Sequence, residues 1–301
     1  VDLVKWFELF ALDTITDIAF GEGFDVLRQG MDPEGVLARI RASKFRRNWL
    51  GHIPWAMRLL SSDIEPFTES LLTQRTAKET IWAKDFLHYL TEIEAVDGES
   101  VIMAGADTIA ATLSSFFWFL LCNPDCYSRL QKEILDVYKT EVVYNTSRHP
   151  QLHYLAACLN ETLRLHPPVL TNGTRTGGKV VGGRFIPPDT NICIPPYAMH
   201  RRPECFFPQT EEFNPDRWLP AEAHRFTHNL AGFIPFSIGP AGCAGQRLAR
   251  MELTMTVCLL MKVFRFEKMP GVNYESWPAG IRDELLATRD PLWVKITLLR
   301  R

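Results

Sequence analysis

Neither sign of charge dominates this chain: 33 basic side chains stand against 35 acidic ones, a formal net charge of -2. That balance leaves no basic field of the kind a nucleic-acid backbone requires. No repeat or low-complexity tract interrupts the sequence, which argues against solenoids and disordered linkers. Cysteines at 122, 126, 158, 193, 205, 243 and 258 make an odd count with no C-x-x-C pair. A disulfide framework and a zinc knuckle are both disfavoured, and a reducing environment is implied. Cys122 and Cys126 lie four apart without a nearby histidine, so they read as packing. There is no G-x-S-x-G elbow, and no Walker loop either, since Gly245 is followed by Gln246 and Arg247. The chain opens at Val1 with no signal peptide and no apolar N-terminal span. Its longest apolar run, Ala110 to Cys122, is too short to cross a bilayer and reads as a core helix. With 46% apolar residues among 301, residues 1–301 suffice for one globular domain with a sizeable core.

What is present begins with Phe236-Ser-Ile-Gly239-Pro240-Ala-Gly242-Cys243-Ala-Gly245, a cysteine enclosed by glycines and a proline. Glycines permit positive φ and a close approach of the backbone to a flat ligand, while Pro240 stiffens the turn. Ala244, Leu248, Met251, Met255 and Leu259 recur at helical spacing, placing Cys243 at a helix N-terminus. Amides there favour an anion, and so a thiolate able to bind a metal. The plain alternative is a buried filler cysteine beside an ordinary turn.

Upstream, Leu152, Leu155, Leu159 and Leu163 form an apolar stripe that His166-Pro167-Pro168 terminates, because proline cannot continue a helix. Glu161 and Arg164 share one face of it, where spacing alone predicts a solvated ion pair worth little. A third element, Ala104-Gly105-Ala106-Asp107-Thr108, lies within a helical run from about Ser100 to Cys122 that ends at Asn123-Pro124. Glycine inside a helix costs about 1 kcal/mol against alanine. The string of small residues therefore predicts either a groove for a ligand or close helix packing. Thr108 is placed to bond back to the carbonyl of Ala104, loosening the ladder. Arg39, Arg41, Lys44, Arg46 and Arg47 form a basic cluster that reads as a solvated helix face. Extended segments are expected between Arg175 and Ile194 and near Pro291 to Leu299, giving a mainly α fold with two small β-sheets.

The three motifs, in this order, resemble those of the cytochrome P450 family, in its fungal flavour, over nearly the whole chain. The resemblance implies the cytochrome P450 fold, mainly α with small β-sheets and lacking the N-terminal third, with Asp2 to Phe24 similar to the family's helix E. It implies that Cys243 is the axial ligand of a haem b iron and that Phe236 covers the proximal face. Gly239 and Gly245 shape the cofactor loop, and Arg175 pairs with a haem propionate. Ala241 departs from the pattern, standing where the family usually has an arginine for the other propionate. By the same resemblance Glu161 and Arg164 are buried and joined by Arg217 from Phe213-Asn-Pro215-Asp-Arg217-Trp218, a structural triad bracing the Cys243 loop. Asp107 and Thr108 relay protons on the distal side. The connection from Tyr89 to Gly98 is shorter than is usual. The activity implied is a monooxygenase that inserts one oxygen atom from O2 into an apolar organic substrate. Its electrons come from NADPH through a partner, NADPH-cytochrome P450 reductase. A full-length relative would be anchored on the endoplasmic reticulum, whereas this chain carries no anchor. The alternative is a truncated non-catalytic remnant or haem-binding module of the same family.

Overall fold

The computed structural model describes residues 1–21, 23–32, 35–50, 73, 98–139, 145–171 and 173–299. Side chains at 45–50, 98–99 and 174–176 are outside that description, as is most of the connection from Tyr89 to Gly98. The chain gathers into two compact units, Val1–Trp118 with Phe264–Arg301, and Phe119–Val263.

In the first unit, α1 (Leu3–Phe20) starts at Asp2. The Oδ1 of Asp2 accepts from the Val4 amide at 3.0 Å and from the Leu292 amide at 3.0 Å, so one carboxylate both caps the helix and ties it to the C-terminal segment. Short α2 (Val26–Gln29) and α3 (Val36–Leu50) follow. The central helix α4 (Gly98–Cys122) matches the run expected from sequence, and Asn123-Pro124 ends it as anticipated. Phe117 on α4 is fully buried, with ring centroids 5.4 Å from Phe7 of α1 and 4.7 Å from Phe266. Phe266 belongs to β3 (Phe264–Lys268), which pairs antiparallel with β6 (Val294–Leu298) from Phe264 opposite Leu298 to Lys268 opposite Val294. A hairpin of β4 (Arg282–Glu284) and β5 (Leu286–Thr288) turns at Leu285 with φ 72°.

The second unit holds α5 (Pro124–Tyr138), whose Leu130, Ile134 and Tyr138 form its buried face. Next comes α6 (His153–Leu165), which buries Leu155, Leu159 and Leu163 as the stripe predicted and stops at the His166-Pro-Pro sequence. Its first amides are satisfied by Glu133 of α5, whose two carboxylate oxygens accept from Tyr154 at 2.7 Å and Leu155 at 2.8 Å. An anion at a helix N-terminus is favoured by the helix dipole as well as by the two bonds. β1 (Gly173–Val181) and β2 (Arg184–Cys193) form the expected hairpin, Gly173 opposite Cys193. A short α7 (Pro196–Met199) and α8 (Gln246–Val263) complete the helices described here. Two sheets were expected; among the described residues three two-stranded sheets are found, and the unforeseen one is the β4–β5 hairpin.

Gly105 settles the choice left open for the small-residue string at that position. A Cβ placed on it would lie 2.4 Å from Cγ1 and 2.5 Å from Cδ1 of Ile15, so its bare Cα lets α1 close onto α4 and leaves no ligand groove there. Gly105→Ala should therefore destabilise by about 1–3 kcal/mol through overpacking, although alanine is the better helix former by about 1 kcal/mol. Urea midpoints would show it, and Ile15→Ala in the same chain should recover part of the loss.

Among the described residues one helix segment, Ser100–Cys122, is long and apolar enough by length and composition to cross a membrane. It extends well beyond the apolar run read from sequence, and 72% of its most apolar window is buried inside the protein, as in a core helix.

Candidate functional site

Two groups of residues carry the chemistry singled out from sequence, one in each unit. In the second unit, the chain entering the cysteine loop reverses at Ser237, φ 59°, and again at Gly239, φ 66°. Nothing lies within 4 Å of where a Gly239 side chain would start. A 3-10 turn over Gly239–Ala241 closes with the Gly242 amide donating to the Gly239 carbonyl at 2.9 Å. The Cys243 amide donates to the Phe236 carbonyl at 2.8 Å, and α8 begins three residues later at Gln246. The glycines divide the work differently from the sequence expectation. Of the three, Gly239 alone uses positive φ; Gly242 sits at φ -63° and is small because a Cβ would meet the Gly239 carbonyl at 3.0 Å. At Gly245 the nearest atom to a Cβ would be Sγ of Cys243 itself, at 3.9 Å, so the flank of the sulfur is clear. Cys243 is exposed and unbridged. Phe236 is half-buried beneath the Arg250 guanidinium at 5.0 Å, and Arg250 in turn donates to Oδ1 of Asn160 at 3.0 Å.

The same unit holds the carboxylate cluster. Glu161, Arg164 and Arg217 have no exposed surface. Arg164 grips Glu161 bidentately, Nε to Oε2 and Nη2 to Oε1, both at 2.8 Å, a geometry that adds direction to charge. Arg217 is looser, with Nε 3.6 Å from Oε1, and donates instead to the carbonyls of Pro208 at 2.8 Å and Gln209 at 3.0 Å. Two further donors to Glu161 were not read from sequence: the Trp218 indole at 2.9 Å and the Asn214 amide at 3.0 Å. Trp218 follows Arg217 in the 3-10 turn Pro215–Trp218 and Asn214 caps that turn, so the P-x-R segment delivers them together. Arg164 also donates to the carbonyls of His200, Thr210 and Glu212 at 3.0, 2.6 and 3.1 Å. The spacing-based expectation of a solvated Glu161–Arg164 pair is thus replaced by a buried one.

In the first unit, Thr108 Oγ1 donates to the Ala104 carbonyl at 2.7 Å, the back-bond its position suggested. Thr112 and Ser114 repeat the pattern onto Thr108 and Ala110, both at 2.7 Å. Ala104 is exposed and Thr108 half-buried, four residues apart on one side of α4, while Gly105 beside them is covered by Ile15. Asp107 is held by Lys44 of α3, Nζ to Oδ2 at 2.8 Å, with side chains 12% and 3% exposed. Lys44 therefore leaves the solvated basic face expected for it: a buried ammonium needs a partner, and Asp107 supplies it. Arg41 pairs with Glu8 on α1, and the side chains of Arg46 and Arg47 lie outside the described residues. Arg175 belongs to β1 opposite Asn191, and its side chain is likewise outside the description.

A cavity of about 450 Å³ in the first unit is lined by Asp2, Glu8, Arg41, Arg282, Arg289 and Asp290 among others. Its charges are largely spent on one another, Arg41 with Glu8 and Arg282 with Asp290, and it includes neither Asp107 nor Thr108. Among the described residues no cluster of three His, Cys, Asp or Glu side chains is placed to hold a bare metal ion.

A sequence profile of the family described as Cytochrome P450 matches residues 1–292. The chain belongs to the cytochrome P450 family. Its helices and small antiparallel sheets are those of a partial P450 domain. Among curated P450 relatives it is 31% identical to "Cytochrome P450 monooxygenase nodW" of Hypoxylon pulicicidum, over 90% of this chain and 54% of that protein. It is 28% identical to "Averantin hydroxylase" of Dothistroma septosporum, over 98% of this chain and 61% of that one. With "Cytochrome P450 67" of Uromyces fabae the identity is 31%, over 99% and 61% respectively. The chain thus spans less than two thirds of the length of these relatives. P450 proteins hold haem, and the residues present here fit that group. A single projecting thiol between small residues, with its flank cleared at Gly245 and open space at Gly239, suits a flat macrocycle bound through one sulfur.

Glu252, nine residues after Cys243 on α8, is half-buried, with its Oε1 atom buried and without a hydrogen-bond partner among the described residues. Burial pushes its carboxyl up to about 7 from 4.5. Between those values the unfolded chain releases a proton that the folded chain keeps, so stability falls as pH rises from about 4.5 to about 7. The loss should be on the order of 3 kcal/mol. Glu252→Gln should abolish that slope and be the more stable form at pH 8, as denaturant midpoints at pH 5 and pH 8 would reveal.

Proposed function

We propose that this chain is the haem-bearing part of a monooxygenase that inserts one oxygen atom from O2 into an organic substrate, with electrons from NADPH delivered by a partner reductase. The observation that carries the reading is the exposed Cys243 thiol, in a loop shaped by the bond from its own amide to the Phe236 carbonyl and in the same compact unit as a buried ion-pair cluster. Haem, when bound, supplies the oxygen-activating redox chemistry. Cys243 would be its sulfur ligand, and Arg175 is the basic residue proposed to meet a propionate. Phe236 keeps water from one side of the sulfur, and Gly239 and Gly245 leave the other side clear for a planar ligand.

Asp107 and Thr108 are assigned the proton handling. Thr108 Oγ1 gives its hydrogen to the Ala104 carbonyl, so its lone pairs remain free to receive one from a donor on the exposed side of α4. Asp107, paired with the Lys44 ammonium beside it, is the group that would take up and pass on that proton. The full-length protein is assigned to the endoplasmic reticulum membrane.

The decisive test is to supply haem, reduce the protein, add carbon monoxide and record the absorption spectrum. A thiolate-type Soret band followed by turnover with a reductase is the expected result; its absence from haem-loaded protein overturns the reading. One observation favours a second reading, a haem-binding module without turnover: Ala241 is exposed and offers no charge where a propionate partner is usual. Thiolate-type haem with no product under any reductase would select it.

A further inference from the structure

The buried cluster at Glu161 and the cysteine loop are joined through one side chain that neither the motifs nor the comparisons point to. His200 follows α7 and has no exposed surface. Its Nδ1 lies 3.2 Å from the carbonyl of Arg164, in the last turn of α6, where helix carbonyls lack partners of their own. Its Nε2 lies 2.9 Å from the amide nitrogen of Ile234. A carbonyl only accepts and an amide N–H only donates, so these two neighbours fix the imidazole as the neutral form with hydrogen on Nδ1 and an acceptor at Nε2. Its own backbone carbonyl takes a bond from Arg164 at 3.0 Å, so residue and arginine exchange two bonds. From Ile234 the chain continues two residues to Phe236, whose carbonyl receives the Cys243 amide at 2.8 Å. The route runs Arg164, His200, Ile234, Phe236, Cys243, all in one compact unit.

We propose that His200 is a positioning residue for Cys243: as a neutral acceptor it pins the Ile234 amide, and through it the Phe236–Cys243 contact, to the buried ion-pair cluster. Its importance for a haem ligand rests on the function proposed above; its grip on the loop does not. Burial holds the imidazole down at about 4, and the charged groups that act on it, Arg164 and Arg201, oppose protonation as well. The rings of Phe206 and Phe233, with centroids 6.4 and 5.2 Å away, wall off its sides. A second proton would set N–H against N–H at Ile234, and the link would open.

Glutamine can place an oxygen close to where Nε2 stands, whereas phenylalanine keeps the ring and removes the acceptor. In His200→Phe, amide hydrogen exchange at Ile234 and Cys243 should quicken by about tenfold or more, the scale of one lost hydrogen bond. His200→Gln should stay within about twofold of the parent. With haem supplied, the thiolate-type fraction of the reduced carbon monoxide spectrum should fall in the first variant and persist in the second. Unchanged exchange in His200→Phe overturns the proposal, and so does an equal loss in both variants, since packing and not the acceptor would then matter. Should His200→Phe fail to fold, nitrogen-15 shifts of the parent imidazole decide: the Nδ1–H tautomer at pH 7 supports the assignment, and an Nε2–H tautomer or imidazolium overturns it. If the parent protein shows no thiolate spectrum at all, the monooxygenase reading falls, while exchange at Ile234 still judges the role of His200.

Discussion

Glu161→Gln should cost this protein about 3–5 kcal/mol, the penalty for stripping one partner from a buried charge cluster. That is a large share of the roughly 5–15 kcal/mol by which ordinary domains are stable. The reason is the one-sidedness of the site. Arg164 Nε and Nη2, the Trp218 indole and the Asn214 amide all donate to the two carboxylate oxygens. An amide of the same shape must aim its NH2 at one of these donor pairs, and two guanidiniums without exposed surface lose the carboxylate they share. Arg217→Met should cost less than Glu161→Gln, because its contact with Glu161 is longer, at 3.6 Å, and much of its bonding goes to two carbonyls. Urea midpoints and soluble yield measure both. A cost below about 1 kcal/mol for Glu161→Gln would mean that the cluster does not brace the fold.

The contrast between Glu161 and Lys44 shows where sequence runs out. Helix α4, helix α6 and the hairpin of β1 and β2 were legible because each carries its own period and its own stop, Asn123-Pro124 or His166-Pro167-Pro168, within a short window. Glu161 and Arg164 were visible as neighbours on one face, yet their burial depends on Trp218, Asn214 and three carbonyls from distant segments. Lys44 was grouped with nearby basic residues because a charge run normally faces water; its partner Asp107 is remote in sequence, and no local pattern announces it. The β4–β5 hairpin escaped for the opposite reason. Arg282 and Asp283 are charged and exposed, Glu284 is charged and half-buried, and the turn falls on Leu285 at positive φ, a residue that does not signal one. Gly105 was seen as unusual, but only the position of Ile15 shows which neighbour it admits. Nothing local in the sequence marks His200, whose role depends on both of its nitrogens meeting backbone groups of opposite kind on separate segments.

Cys243→Ser should separate fold from function more cleanly than any other change. The substitution exchanges one atom on an exposed side chain, and the bond that shapes the loop comes from the backbone amide of residue 243, so it survives. Stability should stay within about 0.5 kcal/mol of the parent, the usual range for surface changes. A serine hydroxyl is not ionised near neutral pH, so the anionic donor is gone and the thiolate-type spectrum should vanish completely, together with oxygen insertion. The chain offers its own control in Cys193, the other exposed thiol, at the end of β2. Cys193→Ser should leave the spectrum untouched, since that sulfur lies on the β1–β2 hairpin against Gly173 and the Asn191 side chain, where a Cβ on Gly173 would meet it at 3.1 Å, and not in the open loop ahead of α8. Cys158, Cys205 and Cys258 are buried, and burial pushes the Cys258 thiol up to about 12 and Cys158 upward as well, which disfavours the ligating anion. A thiolate band that persists in Cys243→Ser and disappears in Cys193→Ser would move the ligand to the hairpin and overturn the proposed site. Loss in Cys243→Ser alone, with the denaturant midpoint unchanged, would place the chemistry on this one sulfur and leave the Glu161 cluster with the separate task of holding the loop that presents it.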